Sequence, residues 1–392
     1  MGYKEWKKVK LNDVVSKLGD GLHGTPKYVS DGQYYFINGN NLVDGNIVIK
    51  KDTKRVEFDE YIKYKKELND RTILLGINGT IGNVAVYNNE KCILGKSACY
   101  FNVISLVNKN FVKYVICDKS FQSYIQNVAN GTTIKNVSLK SIREFEFYLP
   151  PLQAQNRIAS ILSSLDDKIE LNRQTNQTLE VIAQTLFKEM CVPKSDELPK
   201  GWKIGKLGDV YVTTSGGTPS RAKMEYFENG IIPWIKSKEL KNSFIITTEE
   251  KITKDALKNS SAKIIPMHSV VIAMYGATVG EIGITGMEAT CNQAICAFIS
   301  NEDYPFTFIY QFLKLNKANI ISRAVGSAQQ NISQELLKSI DIIIPLKQII
   351  QEYHSIALPL FEQIKSNLEE IRTLTIIRDS LLPKLMKGEL KL

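Results

Sequence analysis

One unit of sequence occurs twice in this chain, and that repeat limits the possible folds more than any other feature. Both halves open alike, with Trp6-Lys-Lys-Val-Lys-Leu-Asn-Asp-Val-Val against Trp202-Lys-Ile-Gly-Lys-Leu-Gly-Asp-Val-Tyr. Each then reaches a Gly-Thr-Pro, at Gly24–Pro26 and Gly217–Pro219, and later a glycine-bounded turn, Asn78-Gly-Thr-Ile-Gly82 or Gly276-Ala-Thr-Val-Gly280. Residues 129–150 align without a gap on 324–345, with 5 identities in 22 positions, where chance gives about one. A chain of 392 residues therefore divides into two copies of one unit, and no larger single core is needed.

Within each copy the pattern changes partway. Short β-branched and aromatic runs bounded by Gly and Asn predict strands at 33–37, 72–77, 84–87 and 98–104, then at 231–235, 269–275 and 294–299. Apolar residues at helical spacing predict helices over 111–127 and 305–319. After Pro151 and Pro345 the turn residues disappear and a heptad seam begins. In the first copy it runs through Leu162, Leu165, Ile169, Asn172, Asn176, Leu179, Ala183, Leu186 and Met190; in the second through Leu360, Ile364, Asn367, Ile371, Leu374, Arg378, Leu381 and Leu385. The fold class is α+β: two similar lobes separated by two long helices that form an antiparallel coiled coil with internal pseudo-two-fold symmetry. The expected boundaries are 1–150, 151–195, 196–345 and 346–392, with Pro193 and Pro199 ending the first helical region. Asn172 and Asn367 hold equivalent places. Two readings stay open for them, polar seam residues that set register or flank residues in solvent.

Helices of about 25 residues would be about 37 Å long, a narrow two-helix contact carrying the lobes to opposite ends of a rod. A spacing of about 35–40 Å matches successive major-groove faces of B-DNA, about 34 Å apart. Two unlike lobes would then read two different half-sites, and a heptad added to both helices would widen the gap by about 10 Å. The charge agrees in sign. Lys plus Arg is 50 against 41 acids, and residues 1–150 hold 22 basic and 15 acidic side chains, an excess of 7. Residues 196–345 hold 16 against 15, an excess of only 1. A basic excess in one lobe suits a polyanion, and equally a merely basic surface.

Other classes find little support. Six cysteines contain no Cys-x-x-Cys and there are three histidines, so the thiols are expected to be reduced packing residues, with no metal site. The N-terminus lacks an apolar leader and no run reaches the roughly 20 residues of a membrane span, so a cytoplasmic location is expected. There is no phosphate loop and no Asn/Asp-Pro-Pro-Tyr type loop for a target base. Gly276–Gly286 reads as strand ends and turns. The nearest approach to a nuclease cluster, Asp166-Asp167-Lys168, is expected on the solvated outer face of the first long helix. The chain reads as a recognition module, with no catalytic residues.

The words Ser215-Gly-Gly-Thr-Pro-Ser220, Ile232-Pro-Trp-Ile-Lys-Ser-Lys-Glu-Leu240, Ala273-Met-Tyr-Gly-Ala-Thr-Val-Gly280 and Ala289-Thr-Cys-Asn-Gln-Ala294 closely resemble the specificity (S) subunit of type I restriction–modification systems. So do His23-Gly-Thr-Pro26, Gly131-Thr-Thr-Ile-Lys-Asn-Val-Ser138, Leu149-Pro-Pro-Leu-Gln-Ala-Gln155 and Leu381-Leu-Pro-Lys-Leu-Met-Lys-Gly-Glu389. The likeness spans essentially the whole chain. It implies two target recognition domains reading a bipartite site in double-stranded DNA. It also implies helical regions that dock two methyltransferase subunits, with restriction/translocase subunits joining them. S-adenosylmethionine, ATP and Mg²⁺ would belong to those partners, with no cofactor on this chain and no membrane contact.

Base reading wants Arg, Lys, Asn or Gln on loops, and phosphates want cations, hydroxyls and free backbone N–H groups. On that basis the DNA-binding residues expected in the first lobe are Lys27, Asn38, Asn40, Asn41, Asn78, Thr80, Lys96, Thr132 and Lys135. In the second they are Ser220, Arg221, Lys223, Lys236, Ser237, Lys238, Tyr275, Gln329 and Gln330. Turn geometry accounts better for the glycines, Pro26 and Pro219. Three rivals remain: a specificity subunit of a related type II system with a fused methyltransferase–nuclease partner, an autonomous methyltransferase or nuclease, and a scaffold gripping proteins. A steep salt dependence of binding separates a DNA reader from the scaffold.

Overall fold

The computed structural model describes residues 6–131, 135–241, 243–324 and 331–390. Two compact units divide the chain, Met1–Lys168 with Leu374–Leu392, and Ile169–Thr373. In the first, the central strand Thr72–Gly76 is buried along its whole length, which is why its sequence is a continuous apolar run with no alternation. It lies inside a four-stranded sheet ordered Val15–Asp20, Ala98–Val103, Thr72–Gly76, Val84–Val86. Alternate side chains serve opposite faces. Ile73, Leu75, Cys99 and Phe101 pack on helices, while Leu74, Ala98 and Tyr100 pack on a smaller sheet of Arg55–Val56, Tyr34–Ile37 and Cys92–Leu94.

The second unit repeats this plan. Val212–Ser215, Ile295–Ile299, Val270–Ala273 and Ile282–Thr285 form the same sheet with Ser243–Ile245 added at its edge. The smaller sheet is Glu250–Ile252, Ile232–Ile235 and Thr290–Cys291. Each lobe is closed by a two-stranded ribbon absent from the expectations above, Lys7–Lys10 with Glu146–Leu149 and Lys203–Lys206 with Asp341–Ile344. Charges across each ribbon agree with its register, through Lys8–Glu146, Lys10–Glu144 and Lys206–Asp341, each 2.5 Å.

The helix predicted over 111–127 is two helices, Lys109–Cys117 and Lys119–Val128. Asp118 is extended (ψ 148°) and its carboxylate accepts from the Ser120 N–H, so one residue ends the first helix and caps the second. Its counterpart is likewise divided, into Phe306–Leu315 and Lys317–Ser322.

The long helices, Leu152–Cys191 and Lys347–Met386, have 40 residues each, about 60 Å at 1.5 Å per residue, longer than their seams suggested. Within the second unit they run antiparallel: the Tyr353 hydroxyl donates to the Ala183 carbonyl and Asn172 Nδ2 to Glu370. Within the first, Arg378 meets Asp166 in the same sense. Of the seam residues, Leu162, Ile169, Asn172, Ala183, Ile364, Asn367 and Leu385 are buried, while Leu165, Leu179, Leu186, Leu360, Leu374 and Leu381 are half-buried. Neighbours that the heptad reading omitted are as deep, among them Ile158, Phe187, Tyr353 and Phe361. A helix that packs on both a partner helix and a lobe buries a wider stripe than a two-helix seam.

Asp166 corrects a further expectation. It does not lie on a solvated face; its carboxylate accepts from Lys113 (2.7 Å), the Tyr114 hydroxyl (2.7 Å) and Arg378 (2.9 Å). Among the described residues no helix is long and apolar enough to cross a membrane.

Candidate nucleic-acid interface

At one edge of the first lobe several loops meet. Three follow strands, after Asp20, Ile37 and Gly76, and a fourth precedes Ala98. Hydrogen bonds join them: Gly21 N to Ala98 O, Leu22 N to Leu94 O, Gly95 N to Ile37 O and Ile77 N to Ser97 O, all 2.7–3.1 Å. Contact is close enough to require glycine, since a Cβ on Gly21 would lie 2.3 Å from the Gly95 carbonyl oxygen. A fifth loop closes the group through bridges between Asn136 and both Asn78 and Asn130. The recess left at the junction is lined by Asp20, His23, Asn78, Lys96, Asn136 and Ser138 among others.

The second lobe builds the same junction with the same backbone bonds. Gly216 N donates to Ile295 O, Gly217 N to Cys291 O, Asn292 N to Ile235 O and Met274 N to Ala294 O. Tyr275 bridges to Asn331 as Asn78 does to Asn136. These bonds correct the pairing read from the motifs. Gly21, Leu22 and His23 correspond to Gly216, Gly217 and Thr218, so the two Gly-Thr-Pro words are not structural equivalents. Asn78 corresponds to Tyr275, not to Gly276, and Lys96 to Gln293. The β-turns Gly95–Ala98 and Asn292–Ile295 close with equivalent bonds of 2.9 and 3.2 Å, which fixes the last pair.

The residues expected at the interface separate into groups. In the first lobe Asn78 and Lys96 line the recess, Asn40 is exposed in the turn Gly39–Asn41, and Lys135 is exposed next to Asn136. Asn38 and Asn41 serve the scaffold. Asn41 is 3% exposed and donates to Val48 O and Thr53 Oγ1 while accepting from the Asn38 N–H, so no edge of its amide is left for a base. Asn38 accepts from Ser97 Oγ (2.8 Å). The Thr80 hydroxyl is buried against Gly39. Lys27 lies apart from the junction, its backbone N–H held by Glu60 at 2.8 Å.

In the second lobe Tyr275 is at the junction and Ser237 is half-buried in the neighbouring turn. The cations expected to touch DNA are instead engaged with acids. Lys236 reaches Glu249 (2.8 Å) and Glu250 (2.7 Å), Lys238 reaches Glu249 (2.7 Å), and Arg221 reaches Glu250 (2.6 Å). Arg221 also lies over the Phe227 and Trp234 rings, 4.2 and 4.9 Å from their centroids. Burial pulls the Lys236 ammonium down, but its hydrogen bonds to Glu249 and Glu250 outweigh this and raise its pKa. The bonds from Lys236 and Lys238 lower Glu249 to about 2. Lys223 bonds the Tyr226 hydroxyl (3.1 Å), and Ser220 is exposed. Thr132, Gln329 and Gln330 lie outside the described residues.

The junctions also hold His23, Asn136, Thr218, Gln293 and Asn331, which were not in the expected set. The signal was positional: each falls at a place where the two copies present different side chains, or the same asparagine, on one backbone frame.

Comparison with known proteins agrees with this frame. The MjaIX specificity subunit of a type I restriction enzyme from Methanocaldococcus jannaschii is 29% identical over 415 residues, covering 99% of this chain and 94% of the relative. The HindI specificity subunit from Haemophilus influenzae is 26% identical over 361 residues, 73% of this chain and 78% of the relative. The crystal structure of a type I restriction–modification S subunit from M. genitalium shares the fold at a TM-score of 0.62 and 20% identity, over 97% of this chain and 96% of that one. The model of the type I restriction modification DNA specificity domain matches twice, at residues 3–181 and 199–376. With both repeats matched over nearly their whole length, the chain belongs to the type I restriction–modification DNA specificity family, as a two-domain recognition subunit and not a catalyst.

Proposed function

We propose that this chain selects the DNA sequence on which a type I restriction–modification complex acts, each lobe reading one half of a split, asymmetric double-stranded target. One observation carries the reading: two loop junctions share a backbone frame but present different side chains, Asn78, Lys96 and His23 in one and Tyr275, Gln293 and Thr218 in the other. Equal frames suit equal docking on a duplex, and unequal side chains suit unequal base edges. The exposed residues Asn40, Lys96, Lys135, Ser220 and Tyr275, with the half-buried Asn78, are the direct contacts proposed from the original set.

On this reading the helical regions hold two methyltransferase subunits, and restriction/translocase subunits join them in the cytoplasm. Exposed apolar side chains on the long helices, such as Leu171, Val181 and Ile376, offer surface for such partners. S-adenosylmethionine, ATP and Mg²⁺ are assigned to the partners. The test is methylation mapping of host DNA with this gene and its partner genes present, then with this gene alone removed. Loss of adenine methylation at one split motif is the expected result; an unchanged methylome would overturn the proposal.

A further inference from the structure

The lobes differ most informatively at one pair of positions. Lys96 and Gln293 both follow the first residue of the equivalent turns Gly95–Ala98 and Asn292–Ile295, and both are exposed. Their neighbours correspond too. Lys96 shares its recess with His23, which bonds Asp20 at 2.6 Å, and Gln293 accepts a hydrogen bond on Oε1 from the hydroxyl of Thr218, the residue equivalent to His23.

A phosphate clamp at this place would call for a cation in both lobes, because each half-site presents the same backbone charge. A cation exchanged for a neutral amide on one frame fits a base-reading position better than a charge clamp. The two side chains also differ in what they can pair with. The Lys96 ammonium has three donors and no acceptor, which fits guanine, whose major-groove edge offers N7 and O6 as acceptors. The Gln293 amide has both a donor and an acceptor, which fits adenine N7 and N6-H₂. Thr218 fixes the amide by taking one lone pair of Oε1, leaving the second lone pair and the NH₂ group for a base.

Building on the half-site reading above, we propose that Lys96 and Gln293 read the equivalent base pair of the two half-sites, Lys96 a guanine and Gln293 an adenine. The experiment expresses the full chain with its partner genes as wild type, Lys96→Gln and Gln293→Lys, and maps the methylated motif of each. Lys96→Gln is expected to weaken the guanine preference at one position of one half-site on the order of 10- to 100-fold, towards adenine. Gln293→Lys should do the reverse at one position of the other half. In each variant the untouched half-site serves as the control that the chain is folded. A Lys96→Gln variant whose motif is unchanged, or whose methylation falls equally at every sequence, overturns the proposal, the second outcome marking a phosphate contact. A wild-type chain with no split motif overturns the half-site reading as well, so the two failures are distinguishable.

Discussion

Asn367 Nδ2 donates to Asn176 Oδ1 at 2.7 Å across the antiparallel pair of long helices. By the repeat, the partner equivalent to Asn176 would be Ile371, so Asn172, the counterpart of Asn367, turns to Glu370 instead (2.7 Å). The pair is therefore asymmetric although the helices are equal in length. Replacing Asn367 with Ala leaves Asn176 and Gln363, both its partners, with lost bonds inside the seam. We expect a loss of about 1–2 kcal/mol in urea unfolding. The double variant Asn176→Leu, Asn367→Leu should recover that stability while relaxing the register, seen as weakened discrimination in gap length during motif mapping.

Asp166 gives a pH prediction. Burial raises its pKa, but Lys113, Arg378 and Tyr114 together lower it below the usual carboxylate value. A folded pKa below the unfolded one, about 3.9, gives stability that is present above that value and lost as pH falls through the folded pKa. Asp166→Asn should cost about 3 kcal/mol at neutral pH, because Lys113 and Arg378 are left partly buried without their counter-charge. The variant should also show a shallower fall in stability as the pH drops below the unfolded carboxylate value and through the lower folded one. Equal acid slopes in the two proteins would count against this account.

The Glu249 cluster predicts a gain in charge. Glu249→Gln releases Lys238 and leaves Lys236 held by Glu250 alone. The assembled complex should then bind DNA more tightly at low salt, with its log–log salt slope steeper by about 1. Lys236→Ala should destabilise the lobe and Lys238→Ala should not, since their side chains are 15% and 60% exposed. Thermal unfolding and salt titration read the two effects separately.

Asn41 separates scaffold from reading. Asn41→Ala should cost about 2 kcal/mol by leaving buried groups of the turn without partners. It should leave the methylated sequence unchanged below the melting temperature. A changed first half-site in the folded variant would put Asn41 back among the base contacts.

How far the sequence is legible follows from the range of each interaction. Short apolar runs and heptad spacing are local, so the central strands and both long helices could be read directly; Thr72–Gly76 and Val270–Ala273 lie where their apolar runs put them. The break at Asp118 was less visible, because the amphipathic pattern continues across it and only the cap marks it. Asp166 was misplaced for a different reason. Nothing near it in sequence shows that Lys113, 53 residues away, packs against it.

The sequence by itself determined that one α+β unit occurs twice and that each copy runs into a long amphipathic helix. It also determined the family, through motifs that recur in order. Only the tertiary structure decided which residues share a place. Backbone hydrogen bonds between distant loops, such as Leu22 to Leu94 and Gly217 to Cys291, shift the Gly-Thr-Pro words out of register and bring Lys96 into equivalence with Gln293. A loop residue's position is set by the strands that carry its loop and by the loops packed against it. That information lies in contacts tens of residues apart, where no local period records it.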